Sequence, residues 1–216
     1  NGIVGGGIPI AVGAGFANAY RDDGRVSVVF FGDGATNIGA FHEAANMAAA
    51  LRLPVVFVCE NNEYAEYTRR EKTMAITDVV ERAAAYGMPG LIVDGMDVVA
   101  VYEATIGALE QARRGEGPMF LECKTYRYYN HHGVQTLGAK YRSDEEVEDA
   151  RQRDAIDRHE KLLLEGGVTS SADLEAVWEK IQAEVEDAVQ FGEDSPMPDP
   201  STLLDDVYSL PEGEAL

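Results

Sequence analysis

The sequence has 216 residues, enough for one sizeable domain or one domain with an appendage, and its 45% apolar residues are enough to build a core. Its formal net charge is −20, and residues 143–216 carry 22 acidic and 5 basic side chains. This charge argues against nucleic-acid binding, and the lack of a long apolar run argues against a membrane-spanning helix.

The acidic excess and the cysteines indicate the type of environment. An acidic surface is typical of solvated helices, although 5 lysines beside 13 arginines leave adaptation to high salt as an alternative. The sequence starts at Asn1 without a leader-like segment, so we expect a fragment of a longer, cytoplasmic chain. Cys59 and Cys123 each lie in an apolar run, which predicts buried thiols rather than a disulfide or a zinc site.

The first two thirds of the chain alternate between strand-like and helix-like patterns. The predicted elements are a strand at 26–31, a helix at 38–51, a strand at 55–59, a helix at 76–86, a short strand at 91–93, a helix at 97–113 and a strand at 119–123. This alternation predicts an α/β fold with a parallel, doubly wound sheet and ligands at the carboxyl ends of its strands. We assign residues 1–142 to this domain.

The last third is predicted to form an acidic helical appendage and tail, residues 143–216. Before it, residues 125–142 follow neither period and are rich in Tyr, His and Gly, and long irregular loops of this kind are often functional. The predicted parts of the appendage are a helix capped by Ser143 and Glu146 that continues to about Leu164, an amphipathic helix over residues 174–188, and an extended tail after Phe191.

Polar residues follow two successive predicted strands. A Gly-Asp-Gly turn centred on Asp33 follows the first strand, and Asn61 and Asn62 follow the second. Because these strand ends meet at one edge of a parallel sheet, a carboxylate and a carboxamide there suit Mg²⁺. The amides of Gly34 and Ala35 can face phosphate oxygens. The turn alone is typical of an ordinary reversal, but the combination favours a diphosphate site.

Residues 32–64, GDGATNIGAFHEAANMAAALRLPVVFVCENNEY, closely resemble the thiamine-diphosphate motif of 2-oxo acid dehydrogenases. Within these enzymes the segment is similar to the alpha subunit of the heterotetrameric decarboxylating component, of pyruvate or acetoin dehydrogenase type. The resemblance extends through NGIVGGGIPIAVGAG, LIVDGMDVVAVYEAT and GPMFLECKTYRY, and it covers nearly the whole chain. It implies a thiamine-diphosphate-binding α/β fold that lacks its N-terminal part.

The resemblance also implies a set of site residues. Asp33, the side chain of Asn62 and the backbone carbonyl of Tyr64 would hold Mg²⁺, which bridges the two phosphates of thiamine diphosphate. The cofactor-binding positions that it implies are Gly2, Val4, Asp33, Gly34, Ala35, Asn62 and His131. Gly2 and Val4 would contact the aminopyrimidine ring through their backbones, whereas Gly34 and Ala35 would contact the diphosphate.

His131 is the implied catalytic residue. It aligns best with a histidine on a loop over the cofactor, and an ordinary imidazole pKa of about 6.5 suits proton transfer. The neighbouring His132 is expected to be a surface residue, and His42 is expected to pack in the protein or at an interface because no second ligand lies four residues away. The Gly13-Ala14-Gly15 stretch lacks the third glycine of a dinucleotide fingerprint, and the resemblance implies a close helix contact there instead.

The implied function is oxidative decarboxylation of pyruvate, or acetoin cleavage, with acyl transfer to a lipoyl group. The resemblance implies an alpha2beta2 assembly in which a beta subunit completes the site, and a lipoyl-bearing acyltransferase as the acceptor. The alternatives are a branched-chain 2-oxo acid dehydrogenase alpha subunit, another thiamine-diphosphate enzyme such as a transketolase-like protein, and a non-catalytic phosphate-binding module.

Overall fold

The computed structural model describes residues 2–133, 140–205 and 207, which group into two compact units, Asn1–Leu162 and Leu163–Leu216. The helices are α1 (Gly7–Arg21), α2 (Gly39–Ala50), α3 (Glu81–Ala84), α4 (Val98–Arg113), α5 (Asp144–Arg151), α6 (Ala155–Glu165) and α7 (Ser171–Asp194). The strands are β1 (Ser27–Gly32), β2 (Val55–Asn61), β3 (Tyr64–Ala65), β4 (Thr68–Arg69), β5 (Gly90–Asp94) and β6 (Met119–Lys124). Within the described residues, no helix is both long enough and apolar enough to cross a bilayer.

The first unit is built on a parallel sheet with the strand order β1-β2-β6-β5. Alternate residues of the strands face two separate cores. Phe57 and Phe120 lie in the core on the side of α1 and α2, whereas Val58 and Leu121 lie in the core that includes residues of α4. Helices therefore cover both faces, which confirms the predicted α/β architecture.

Aromatic rings and a close helix contact fix the first face of the sheet. The rings of Phe31 and Phe120 are 5.9 Å apart, and that of Phe41 from α2 lies 6.1 Å from Phe120. A Cβ atom added at Gly15 would lie 2.4 Å from Val55 Cγ2, so α1 approaches β2 more closely than a side chain at that position allows. Gly15 therefore forms the close helix contact expected from the sequence.

Strand β1 forms one edge of this sheet. Among the described residues it pairs with β2 alone, from Ser27 opposite Val55 to Gly32 opposite Glu60. On the face away from α1, Val28 is partly exposed and Phe30 is 65% exposed. The edge therefore combines unpaired backbone groups with an apolar surface.

Two predicted helices differ from the observed ones. The segment predicted as a helix at 76–86 forms only the short α3, because the amide of Val80 donates to Glu122 Oε2 at 2.7 Å instead of continuing a helix. The helix predicted from Ser143 to Leu164 is interrupted, since Asp154 Oδ1 accepts a hydrogen bond from Ile156 N at 2.8 Å and α6 begins there.

The two compact units divide between Leu162 and Leu163, and the domain boundary at residue 142 stays a prediction. Helix α5 belongs to the first unit because Glu146 Oε1 accepts hydrogen bonds from Tyr64 Oη at 2.8 Å and Tyr126 Oη at 3.0 Å. Arg158 of α6 pairs with the carboxylates of Asp94, the last residue of β5, and of Asp97, both at 2.6 Å. These contacts attach the first acidic helices to the sheet domain.

The second unit consists mainly of α7. Ser170 Oγ accepts a hydrogen bond from Asp173 N, and the Asp173 side chain accepts one from Ser170 N, so the helix begins with a complete capping box. The described residues after Leu162 are exposed or half-buried. The described part of the tail that follows contains one 3₁₀ turn, Pro200–Thr202, and the last part of the tail lies outside the described residues.

Candidate active site

A cavity of about 580 Å³ lies at the carboxyl ends of β1 and β2. It is lined by seven of the residues that the sequence singled out: Val4, Asp33, Gly34, Ala35, Asn62, Tyr64 and His131. Gly2 is exposed and is not among the residues that line this cavity. The structure therefore brings the predicted positions together from the start of the chain, two strand ends and the loop after β6.

Asp33 is the most unusual residue of the cavity. It follows β1 at the start of a 3₁₀ helix, Asp33–Asn37, and its side chain is 1% exposed. Among the described residues, neither carboxylate oxygen has a hydrogen-bond partner. Burial raises the pKa of this carboxyl above its ordinary value, the charge of Glu63 adds to the shift, and the nearby backbone amides and Arg70 oppose it.

An unpaired buried carboxylate is costly unless a cation or a donor satisfies it. A divalent ion at the cavity would supply that missing partner, so Asp33 fits the role of a metal ligand. Among residues 2–133, 140–205 and 207, no group of three or more His, Cys, Asp or Glu side chains could hold a metal. A cation at Asp33 would therefore depend on amide and carbonyl oxygens for its other protein ligands.

Close backbone packing shapes the turn beside Asp33. A Cβ atom at Gly34 would lie 2.6 Å from Ala65 Cβ in β3, so only glycine fits without a shift of the neighbouring strand. Gly5, which also lines the cavity, has a φ of 69°, and a Cβ there would lie 2.1 Å from Ile38 Cδ1. These glycines leave backbone, rather than side chains, facing the cavity.

The residues after β2 form a tight turn that places Asn62 at the cavity. Asn61 is fully buried, and its Oδ1 accepts a hydrogen bond from Glu63 N at 2.9 Å. Asn62 Oδ1 accepts from Tyr64 N at 3.0 Å and, as a carbonyl oxygen, keeps a second lone pair for another partner. The two asparagines therefore differ in role: Asn61 is structural, and Asn62 lines the site.

The phenol of Tyr64 is committed to another partner. Its Oη donates to Glu146, and burial together with this hydrogen bond raises the pKa of Tyr64 to about 12. The side chain is therefore engaged away from metal binding, which leaves the backbone carbonyl as the only group of Tyr64 that can serve as a ligand. This is the group that the family resemblance implies.

His131 reaches the cavity from the loop after β6. Arg127 Nη1 donates to its Nδ1 at 3.3 Å, so a neutral ring carries its proton on Nε2. The adjacent His132 is exposed; its ring contacts the Tyr67 hydroxyl and lies 3.8 Å from Glu66 Oε1. The structure thus distinguishes the two histidines by position, whereas residues 134–139 of the same loop lie outside the described residues.

Three buried charged residues near the site were missed from the sequence. Arg142 donates to the carbonyls of Arg127 and Tyr129 and stacks on Tyr141, with 4.8 Å between guanidinium and ring centre. Glu122 is buried in β6, and Arg70 is buried beside Glu63. Of these three residues, only Glu122 could have been identified from the sequence, because it is a lone carboxylate within an apolar strand pattern.

His42 has a structural environment, as the sequence predicted. Arg82 Nη1 donates to its Nε2 at 3.1 Å, and its Nδ1 contacts the Tyr86 hydroxyl. Burial and the charge of Arg82 lower the pKa of His42 below its ordinary value. Arg82 also donates to Asn37 Oδ1 at 2.6 Å, so this cluster ties α3 to the end of the turn that carries Asp33.

The chain matches relatives along almost all of its length. A subunit alpha of acetoin:2,6-dichlorophenolindophenol oxidoreductase from Bacillus subtilis (strain 168) is 48% identical over 210 residues, covering 96% of this chain and 62% of the relative. The subunit of the same name from Cupriavidus necator is 42% identical over 209 residues, covering 96% of this chain and 62% of the relative. A pyruvate dehydrogenase E1 component subunit alpha from Zymomonas mobilis is 45% identical over 199 residues, covering 92% and 55%.

The chain thus spans between 55% and 62% of the length of these relatives. A family model described as "Dehydrogenase E1 component" matches residues 1–201, which include the cavity, the sheet and the three acidic helices α5, α6 and α7. The chain therefore belongs to the dehydrogenase E1 component family.

Proposed function

We propose that this chain is the cofactor-binding part of an alpha subunit that decarboxylates a 2-oxo acid, or cleaves acetoin, with thiamine diphosphate and Mg²⁺. The observation that carries this proposal is the buried Asp33 carboxylate, whose two oxygens have no partner among the described residues and which lines the cavity with Asn62. A group with that environment requires a cation or a donor from outside the chain. The family match supports the same cofactor.

The residues implied by the family resemblance have distinct roles in this proposal. Asp33, Asn62 Oδ1 and the Tyr64 carbonyl hold Mg²⁺, because they supply the oxygen ligands that this ion prefers. The amides of Gly34 and Ala35 face the phosphates at the start of the 3₁₀ helix. The backbones of Gly2 and Val4 contact the aminopyrimidine ring, although of these two only Val4 is among the residues lining the cavity.

The bound cofactor supplies the nucleophilic carbon that adds to the substrate carbonyl. In the chain itself, His131 transfers a proton at the mouth of the cavity, and its contact with Arg127 orients the ring with Nε2 protonated. His131→Ala is therefore expected to lower turnover more than cofactor affinity.

The relatives suggest the substrate and the partners. Those described above are named as subunits of acetoin:2,6-dichlorophenolindophenol oxidoreductase or of pyruvate dehydrogenase, so acetoin and pyruvate are the proposed substrates. A beta subunit completes the site in an alpha2beta2 assembly, and a lipoyl-bearing acyltransferase accepts the acyl group. A cytoplasmic location is part of the proposal, and it is supported by the free, buried thiols of Cys59 and Cys123.

The test compares two isosteric variants of the full-length chain co-expressed with its beta partner. Asp33→Asn removes the charge at the cavity, whereas Glu60→Gln removes an exposed charge from the adjacent strand. We expect Asp33→Asn to weaken Mg²⁺-dependent thiamine diphosphate binding by more than about a hundredfold, and Glu60→Gln to leave it unchanged. Binding is measured by calorimetric titration with and without Mg²⁺.

Turnover with acetoin, pyruvate and a branched 2-oxo acid then identifies the substrate by reduction of an artificial electron acceptor. Preference for the branched acid would assign the chain to the branched-chain enzymes, and activity with sugar phosphates alone would assign it to a transketolase-like enzyme. Full cofactor binding by Asp33→Asn would refute the metal role. A folded wild-type assembly that binds no thiamine diphosphate would leave a non-catalytic module.

A further inference from the structure

Glu122 is a fully buried carboxylate that does not line the cavity. It lies in β6, is 0% exposed, and accepts hydrogen bonds from Asn61 Nδ2 at 2.6 Å and Val80 N at 2.7 Å. Lys124 Nζ lies 3.1 Å from its Oε1. A buried charge is tolerated only when it is paired and hydrogen-bonded, and these three donors satisfy that requirement.

The contact with Glu122 fixes the orientation of Asn61. The amide group of Asn61 is buried at the end of β2, with its nitrogen directed to Glu122 and its oxygen to the backbone amide of Glu63 at 2.9 Å. Rotation of this amide group by half a turn would bring its oxygen against the carboxylate and its nitrogen against a donor. Glu122 therefore selects the one orientation in which Asn61 can hold the next turn.

That turn contains an unfavourable backbone conformation. Glu63 has a φ of 67°, in the left-handed region that non-glycine residues rarely adopt. Its conformation is held by Asn61 from one side and by Arg70 from the other, since Arg70 N donates to Glu63 O at 2.8 Å and Arg70 Nε donates to Glu63 Oε2 at 2.7 Å. Glu63 separates Asn62 from Tyr64, so its conformation determines where both of those residues point.

We propose that Glu122 is a positioning residue for the metal-binding turn. Through Asn61, it holds Glu63 in the left-handed conformation and so sets the Asn62 side chain and the Tyr64 carbonyl relative to Asp33. This inference rests on the proposed function, because the purpose of the turn is to present oxygen ligands. The positioning itself is a property of the chain without cofactor, and it is measurable in that state.

The test uses Glu122→Gln in the full-length chain assembled with its beta partner. The variant keeps the shape of the side chain, but its amide nitrogen must face donors at either position: Val80 N on one side, or Asn61 Nδ2 and Lys124 Nζ on the other. The matched control is Asp78→Asn, because Asp78 accepts from Lys124 Nζ at 2.5 Å in the same polar cluster without touching Asn61. Hydrogen exchange of the Glu63 amide is measured without cofactor, and the Mg²⁺ concentration for half-saturation is measured by circular dichroism at saturating thiamine diphosphate.

We expect Glu122→Gln to speed exchange at Glu63 and to raise the half-saturating Mg²⁺ concentration about ten- to hundredfold, whereas Asp78→Asn changes neither. Turnover at saturating Mg²⁺ should recover much of its wild-type value, because no group that touches the cavity is altered. A Glu122→Gln assembly that is less stable but keeps wild-type exchange at Glu63 and wild-type Mg²⁺ affinity would overturn the proposal. Equal changes in both variants would also overturn it.

If Glu122→Gln does not assemble, Glu122→Asp decides between the outcomes. This variant keeps the negative charge, but its side chain is one methylene group shorter and withdraws the carboxylate from Asn61, so the same two changes are expected in smaller measure. Unchanged exchange and affinity in Glu122→Asp would refute the positioning role. A further outcome separates the two proposals. If neither the wild-type nor the variant assembly binds Mg²⁺ or thiamine diphosphate, the proposed function is refuted. Faster hydrogen exchange at Glu63 in the variant than in the wild type would then still support the positioning role.

Discussion

The structure at the carboxyl ends of the strands and the structure of helix α7 depend on the sequence in two different ways. At the sheet edge, Asp33, Asn61 and Glu122 are buried polar side chains, and Gly34 has no room for a Cβ atom. In α7 no residue is buried, and the helix is defined by a capping box and its pattern of apolar residues. The edge depends on contacts between distant residues, whereas α7 depends on local rules. Substitutions should therefore have large effects at the edge and small effects in α7.

The largest contrast should come from the same substitution made in both regions. Phe120→Ala removes a fully buried ring from β6 and should lower the free energy of unfolding by about 3–5 kcal/mol. Phe191→Ala, at a side chain that is 76% exposed in α7, should change it by less than about 0.5 kcal/mol. Urea unfolding followed by hydrogen exchange in peptides from β6 and α7 measures both. Similar losses in the free energy of unfolding from the two substitutions would show that the two regions are equally constrained.

A second contrast uses two glycines that follow Asp33, one inside the turn and one beyond it. Gly34→Ala should cost about 1–3 kcal/mol, because its Cβ would lie 2.6 Å from Ala65 Cβ, and it should also weaken cofactor binding. Gly39→Ala, at the start of α2, meets nothing within 4 Å and should be neutral or stabilising by less than about 1 kcal/mol. Thermal melting of both variants provides the measurement, and a tolerated alanine at position 34 would contradict the close contact with β3.

A local interaction should govern the start of α7. Ser170→Ala removes the oxygen that accepts a hydrogen bond from Asp173 N, and it should destabilise the helix by about 1 kcal/mol. Ser171→Ala, one residue later, serves as the control and should have little effect because alanine is a good helix former. Hydrogen exchange of the first turn of α7 would reveal the difference. Equal exchange in the two variants would mean that the capping box contributes nothing.

Because of the same cap, the stability of α7 should depend on pH in a direction that can be predicted. Hydrogen bonds from Ser170 lower the pKa of Asp173 below 3.8, its ordinary value. A lowered folded-state pKa means that this contribution to stability is complete above pH 3.8 and is lost as the pH falls through the lower value. Helical circular dichroism during acid titration should show this loss in the wild type, and Ser170→Ala should reduce it.

The smallest expected effect is a gain in stability. Gly192 lies within α7, and a Cβ atom there meets nothing within 4 Å, so Gly192→Ala should stabilise the helix by about 0.5–1 kcal/mol. Gly107→Ala in α4 of the first unit is equally open and should gain a similar amount. Thermal melting tests both substitutions. A loss at Gly107 alone would show that even open positions of the first unit are constrained by their surroundings.

Sequence patterns were sufficient where secondary structure depends on local rules. The runs Val55–Cys59 and Met119–Cys123 predicted the two central strands, and the apolar spacing of residues 97–113 predicted α4. The pattern failed at 76–86, because the Val80 amide is taken by Glu122, a residue far along the chain. Periodicity cannot reveal such a partner.

The residues of the candidate site also fall into two groups, those that the sequence indicated and those that it did not. Asp33 and Asn62 were identified because each follows a strand-like run, and the ends of adjacent parallel strands meet. The left-handed conformation of Glu63 and the role of Asn61 could not be predicted, since both depend on a buried carboxylate contributed by β6. Ser170 and Asp173 also stand at capping-box spacing in the sequence. The start of α7 could therefore be predicted from them, although the predicted helix begins only at residue 174.

The exposed edge of β1 has a consequence for the behaviour of the chain in solution. In the part of the chain that the structure describes, the backbone groups on this edge beside Val28 and Phe30 pair with no strand, and such groups are a template for strand addition by another molecule. The net charge of −20 opposes such approach through repulsion between chains, but this repulsion is screened over about 8 Å at physiological ionic strength. The acidic composition therefore opposes self-association through the β1 edge, and added salt should weaken that opposition.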